Sequence, residues 1–191
     1  MTETSIRPGK QHLLSRAELR LLVRTVPDFP KPGIQFRDIT TLISHGAGMA
    51  SAVRHLADLA APHRPDRIAG MEARGFIFGA AVAAHLGIGF LPVRKPGKLP
   101  VATLGIDYDL EYGTDRLEID ASAVEQGQRI VVIDDLIATG GTASAATSLL
   151  RQAGAEVDQA LFVIDLPDLG GADRLRSLSL GVESLMAFEG D

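Results

Sequence analysis

Ile130-Val131-Val132-Ile133-Asp134-Asp135-Leu136-Ile137-Ala138-Thr139-Gly140-Gly141-Thr142 is the stretch whose reading decides the fold. Four apolar β-formers run into two adjacent carboxylates. A Thr-Gly-Gly-Thr turn follows, then small residues and paired leucines over 143–151. The pattern predicts a buried parallel strand, a tight turn and a helix start. In an open α/β sheet, ligands bind beyond the carboxyl ends of the strands. Gly140 and Gly141 let the backbone come close to a ligand. The first-turn amides of the helix have no intrahelical partner and carry the positive end of its dipole. With the Thr139 and Thr142 hydroxyls they make an anion site suited to phosphate. Asp134 and Asp135 would repel an anion and suit a neutral diol instead. Neither G-x-x-x-x-G-K-[ST] nor G-x-G-x-x-G occurs, so the two common nucleotide loops do not explain the turn.

A second strand–loop–helix junction lies upstream. Residues 67–71 read as a strand, Glu72-Ala73-Arg74-Gly75 as a loop, 75–86 as a helix and 89–94 as the next strand. Arg74 would offer a bidentate guanidinium. The following Arg94-Lys95-Pro96-Gly97-Lys98 places three cations where a polyphosphate could lie. Residues 99–118 hold both tyrosines, Tyr108 and Tyr112, around Glu111. That loop is too long for a simple connection and predicts a lid; Leu117 and Ile119 suggest a β-ribbon as its return arm. Downstream come a strand at 157–165, Leu166-Pro167-Asp168, a helix at 173–178 and a strand at 184–188. Alternating strands and helices predict an α/β fold: a parallel sheet of about five strands with helices on both faces.

Upstream of the sheet, Ser15 and Glu18 form a capping box. Leu19, Leu22, Val23 and Val26 then mark a helix ending before Pro27. Residues 27–39 are proline-rich and predict a rigid extended path, and 48–61 predict an amphipathic helix. Residues 1–14 read as a leader, and about 15–45 as an N-terminal cap, or hood, over the carboxyl edge of the sheet.

A chain of 191 residues suits a single domain, 1–191. Net charge −5 argues against nucleic acid or an anionic membrane as partner. The chain has no cysteine, which excludes disulfides and thiolate catalysis and fits a cytoplasmic protein. Its N-terminus lacks the apolar core of a signal peptide. The uncharged stretch 75–93 could pass for a membrane span, but Gly87, Gly89 and Pro92 divide it. The histidines show no H-E-x-x-H spacing, and G-x-S-x-G is absent.

The 130–142 segment resembles the PRPP (5-phosphoribosyl-1-pyrophosphate) motif of type I phosphoribosyltransferases. Four further blocks carry the resemblance across nearly the whole chain from Leu13: F-P-K-P-G-I-Q-F-R-D-I at 29–39, E-A-R-G-F-I-F-G at 72–79, V-R-K-P-G-K-L-P at 93–100 and Y-D-L-E-Y-G at 108–113. Within the family they are most like the adenine-using members. The resemblance implies the family fold, with hood and mobile β-ribbon lid, and purine salvage from adenine and PRPP to AMP and pyrophosphate. It also implies a homodimer and Mg2+ bound mainly through PRPP, with no direct protein ligand. Asp134 and Asp135 would hold the ribose hydroxyls, and Ala138 to Thr142 the 5′-phosphate. Glu72, Ala73, Arg74 and Gly75, often with a non-proline cis peptide, would form the pyrophosphate loop, helped by Arg94, Lys95 and Lys98. Gln35, Phe36 and Arg37 would contact adenine, partly by backbone, with Leu166 on its other face. Glu111 would be the lid carboxylate near the base, and Glu111 and Arg74 the catalytic residues. In 6-oxopurine enzymes an Asp stands where this chain has Ala138. Asp107 and Gln35 depart from the residues common in the family. A transferase for xanthine or orotate, or a PRPP-sensing regulator, are the alternatives.

Overall fold

Ser15 caps the first helix as the capping-box spacing predicts: its hydroxyl accepts from the Glu18 amide and Glu18 accepts from the Ser15 N–H. In the computed structural model, which describes residues 13–109 and 113–190, this helix, α1, covers only Arg16–Leu21. The helix expected to run almost to Pro27 stops sooner. The chain turns extended as β1, Arg24–Pro27, and pairs antiparallel with β2, Gln35–Asp38. Thr25 and Val26 are β-branched and fit a strand better than a helix. The proline-rich run is therefore the connection of a small two-stranded hood, with Phe29–Pro30 cis.

The chain continues through α2 (Thr40–Ser44), α3 (Gly46–Ala60), β3 (Arg67–Met71), α4 (Arg74–Leu86) and β4 (Gly89–Val93). A two-stranded antiparallel ribbon follows, β5 (Thr103–Asp109) and β6 (Thr114–Asp120). Then come β7 (Arg129–Ile137), α5 (Gly141–Gln152), β8 (Glu156–Asp165), α6 (Gly171–Ser177) and β9 (Gly181–Ala187). Both arms of the expected lid are strands, not the return arm alone. β9 starts at Gly181 rather than 184, because its pairing with β8 reaches back to Gln159.

The main sheet has the order β4-β3-β7-β8-β9 and is parallel throughout. On one face Leu56, Phe78 and Val82 pack on Ile133, Leu161 and Val163. On the other, Leu149, Leu175 and Leu117 pack on Ile130, Val132 and Phe162. Fully burying each such side chain contributes about 1.5–3 kcal/mol. α4 carries the chain from β3 outward to β4 on the first face, and α5 carries it from β7 outward to β8 on the second. The winding direction thus reverses between β3 and β7, and the crevice beyond their carboxyl ends is where such sheets bind ligands. Among the described residues no helix is long and apolar enough to cross a membrane; residues 75–93 divide between α4 and β4.

Candidate active site

Strand β7 carries Asp134 and Asp135 to the edge of the crevice before the chain turns. The Asp135 N–H donates to Asp134 Oδ1 at 2.9 Å. Gly140 caps α5 at φ +75, and a Cβ there would come within 2.8 Å of the Gly171 carbonyl oxygen. At Gly141 the nearest heavy atom to such a Cβ would be Asp109 O at 3.6 Å, an ordinary contact. Glycine at 140 is therefore demanded by backbone conformation and close approach, whereas at 141 it leaves the helix entrance bare. A cavity of about 250 Å³ is lined by residues 134–143 together with Met71, Glu72, Ala73, Arg74 and Lys95. Ala138 to Thr142 thus line this cavity at the entrance to α5.

The loop after β3 closes the opposite wall. The Glu72–Ala73 peptide is cis. Glu72 Oε2 accepts from Arg94 Nε at 3.0 Å and from the Lys95 amide at 2.9 Å. These bonds hold the Glu72 carboxyl below the ordinary range. Gly75 lies so close under Asp134 that a Cβ would come 2.6 Å from its Oδ1. Arg74 Nε lies 2.9 Å from Asp135 Oδ2, an ion pair without the alignment of a hydrogen bond. Burial raises the pKa of both carboxyls, the neighbouring Asp135 charge pushes Asp134 further up, and Arg74 opposes the rise at Asp135. Of the three cations at 94–98, Lys95 lines the cavity, Arg94 is tied to Glu72, and Lys98 is exposed and lies outside the cavity wall.

A second cavity of about 480 Å³ adjoins through Arg74, which lines both. Its wall is mostly apolar, with Val26, Phe29 and Phe36 from the hood, Ile39 and Ile43 beyond it and Ile77 from α4, and Asp38 and Thr40 add polar groups to the rim. The Arg74 guanidinium lies 5.9 Å from the Phe36 ring centroid. Of the four residues expected at the base, only Phe36 lines this cavity: Gln35 and Arg37 alternate with it along β2, and Leu166 lines neither cavity. The Arg37 side chain is committed elsewhere: it donates to Thr25 Oγ1 at 2.7 Å and to the carbonyls of Glu189 and Gly190 at 3.1 and 2.9 Å. Leu166 is half-buried just past β8, and its N–H donates to the Ile137 carbonyl at 3.0 Å.

Near its far end, where β5 finishes and β6 begins, the ribbon is fastened to the entrance of α5. Tyr108 Oη lies 3.3 Å from Thr142 Oγ1 and 3.3 Å from Lys95 Nζ, and donates to Asp115 Oδ2 at 3.1 Å. Lys95 also pairs directly with Asp115. Burial works against the Lys95 ammonium, but the hydrogen bonds to Asp115 and Tyr108 outweigh it and hold its pKa above the ordinary lysine value. Asp115 belongs to no motif and escaped the sequence reading; its register partner in the ribbon is Tyr108, which was the available signal. Glu111 and Tyr112 lie outside the described residues. The apolar wall from Val26, Phe29, Ile43 and Ile77 was also missed, since isolated hydrophobic residues read as core.

A carboxylate pair and a glycine-rich helix entrance at the reversal point of a parallel sheet define the class: this is the architecture of a phosphoribosyltransferase. The family model for the phosphoribosyl transferase domain matches residues 38–174. The chain is 71% identical over 173 residues, 91% of its length and 97% of the relative's, to the adenine phosphoribosyltransferase of Erythrobacter litoralis. It is 68% identical over the same share of each chain to that of Novosphingobium aromaticivorans. The crystal structure of adenine phosphoribosyltransferase from Thermoanaerobacter pseudethanolicus is similar with a TM-score of 0.87 at 45% identity, covering 91% of this chain and 100% of that one. The Saccharomyces cerevisiae enzyme, solved with an imino-altritol bisphosphate and adenine, is similar with a TM-score of 0.83 at 36% identity, covering 90% of this chain and 98% of that one. The chain belongs to the adenine phosphoribosyltransferase family.

Proposed function

We propose that this protein transfers the 5-phosphoribosyl group from PRPP to adenine, releasing AMP and pyrophosphate. The observation that carries this is the meeting of two unlike cavities at Arg74, one polar and rich in backbone amides, the other mostly apolar. A displacement between a phosphorylated sugar and a flat base needs both, side by side. The 5′-phosphate would lie on the amides of Thr139 to Thr142, the ribose diol on Asp134 and Asp135, and the pyrophosphate against the loop from Glu72 to Gly75, with Arg74 and Lys95. The base would stack on Phe36, with Leu166 closing its other face. N9 of adenine then attacks the anomeric carbon as the C–O bond to pyrophosphate breaks, through an oxocarbenium-like state. The site aligns the partners and stabilises the departing charge. Arg74 stands where that charge develops. The ribbon would act as a mobile lid that excludes water, and Glu111 would handle the purine proton.

Magnesium takes oxygen ligands and keeps several waters. Asp134 and Asp135, whose Oδ2 is ion-paired with Arg74, are oxygen donors on the cavity wall that fit a hydrated Mg2+–PRPP complex. The metal would be held mainly by PRPP oxygens and, when bound, would neutralise charge on the pyrophosphate. A homodimer is favoured by a groove of about 600 Å³ between α3 and α4, with apolar walls at Met49, Val53, Ala81 and Ala84. PRPP does not cross membranes unaided, which favours a cytoplasmic location.

Phosphorus NMR of adenine, PRPP and Mg2+ with the enzyme tests the function. AMP and pyrophosphate should appear in equal amounts as PRPP disappears. Release of pyrophosphate without AMP, or no turnover, would overturn it.

A further inference from the structure

Resting on the adenine transfer proposed above, we propose that the C-terminal segment after β9 is a positioning element for the base slot. It bridges β2, which carries Phe36, and the turn after β8, which carries Leu166. Among the described residues the hood ribbon β1–β2 makes no ladder with the main sheet, so other contacts set its distance from the sheet edge. Phe188 does this from the middle. The residue is 7% exposed, and its ring takes two guanidiniums, Arg20 at 4.5 Å and Arg37 at 4.9 Å from the centroid. Arg20 Nε also donates to the Ala187 carbonyl at 3.2 Å. On the hood side, Arg37 donates to the Glu189 and Gly190 carbonyls, so the residue next to Phe36 is held by the segment. On the sheet side, the Phe188 N–H donates to the Asp165 carbonyl at 3.0 Å and the Gly190 N–H to Asp168 Oδ2 at 2.8 Å. Asp165 and Asp168 flank Leu166. A continuous set of bonds therefore runs from Phe36's neighbour, through residues 188–190, to the turn that holds Leu166. Hydrogen bonds from a charged donor are directional and stronger than neutral ones, so the bridge fixes a spacing rather than merely filling space.

The segment contacts neither the phosphate turn nor the pyrophosphate loop through any of these bonds. Its loss should act on the base and spare the sugar phosphate. Two variants isolate it: Arg37→Ala, which leaves the β2 backbone in place, and a chain ending at Phe188, which removes the carbonyl acceptors and the Gly190 amide while keeping the ring. Each should raise the KM for adenine about tenfold, the loss of one charge-assisted interaction, with the KM for PRPP and the affinity for ribose 5-phosphate unchanged. Because both variants cut the same bridge, the double variant should match the more affected single one. Equal shifts in both KM values, multiplicative effects in the double variant, or unchanged adenine KM in a folded variant would overturn the bridge. If Arg37→Ala fails to fold, the truncated chain alone carries the KM comparison. An inactive wild type would instead overturn the adenine-transfer function on which the bridge rests.

Discussion

Gly140 and Gly141 look equivalent in the sequence but forbid different things. At Gly140 a Cβ meets the Gly171 carbonyl in a left-handed backbone; at Gly141 it meets nothing closer than an ordinary contact. Gly140→Ala should lower thermal stability and weaken AMP and PRPP together, since both present a 5′-phosphate to the same amides. Gly141→Ala should fold like wild type, so any loss of AMP affinity in calorimetric titration reports on the phosphate alone. Unchanged AMP affinity in a folded Gly141→Val variant would remove the turn from that role. Asp134 gives a second prediction. Burial raises its pKa, with the adjacent Asp135 charge adding to it. A carboxyl whose folded pKa is raised stabilises the fold below its unfolded pKa, and that contribution is lost as pH rises through the folded value. Asp134→Asn removes the charge, so it should unfold at a higher temperature than wild type at pH 8, by about 2–4 °C for each kcal/mol relieved. The advantage should shrink on acidification, while PRPP binding weakens at every pH. A variant less stable than wild type at pH 8 would contradict the cause assigned to the shift.

The phosphate turn was legible as an element because its chemistry is local: strand, carboxylates, glycines and helix start follow in sequence. The hood was not. Its capping box was readable, but whether Val23 to Val26 continued the helix depended on β2, more than a proline-rich turn away, and pairing overrode the apolar spacing. Arg37 shows the same limit at the site. Its place in a motif put it at the base, but strand alternation turned its side chain away from Phe36 and onto the C-terminal carbonyls. The ribbon makes an element-scale prediction. Tyr108 fastens it to Thr142 and Lys95, so Tyr108→Phe should speed amide hydrogen exchange in β5 and β6 without changing exchange in β7. Equal protection in both proteins would mean the hydroxyl does not hold the ribbon. If Glu111 assists the purine proton, Glu111→Gln should slow the chemical step at least about tenfold in single-turnover measurements, within the usual worth of general acid–base help. A wild-type rate would leave the lid only the exclusion of water.

At the scale of the molecule, the parallel sheet and its two covered faces followed from alternating strands and helices, whereas the strand order and the reversal between β3 and β7 emerged only from the pairing. The apolar cavity did not follow, because its wall gathers Phe29, Phe36, Ile43 and Ile77 from segments that only the folded hood brings together. The exposed apolar groove on α3 and α4 predicts a dimer in light scattering at micromolar concentration; a fully active monomer would contradict it. The choice of base tests the whole arrangement, since it requires the phosphate turn, the Arg74 junction and the hood to act on one reaction. Labelled adenine, guanine, hypoxanthine, xanthine and orotate should each be incubated with enzyme, PRPP and Mg2+, and the nucleotide formed measured. Adenine should be converted to AMP at least 100-fold faster than any other base is converted to its nucleotide, because a site built to pair one set of polar edges leaves its own groups unpaired against another. Faster conversion of xanthine, orotate or a 6-oxopurine would contradict the proposed function.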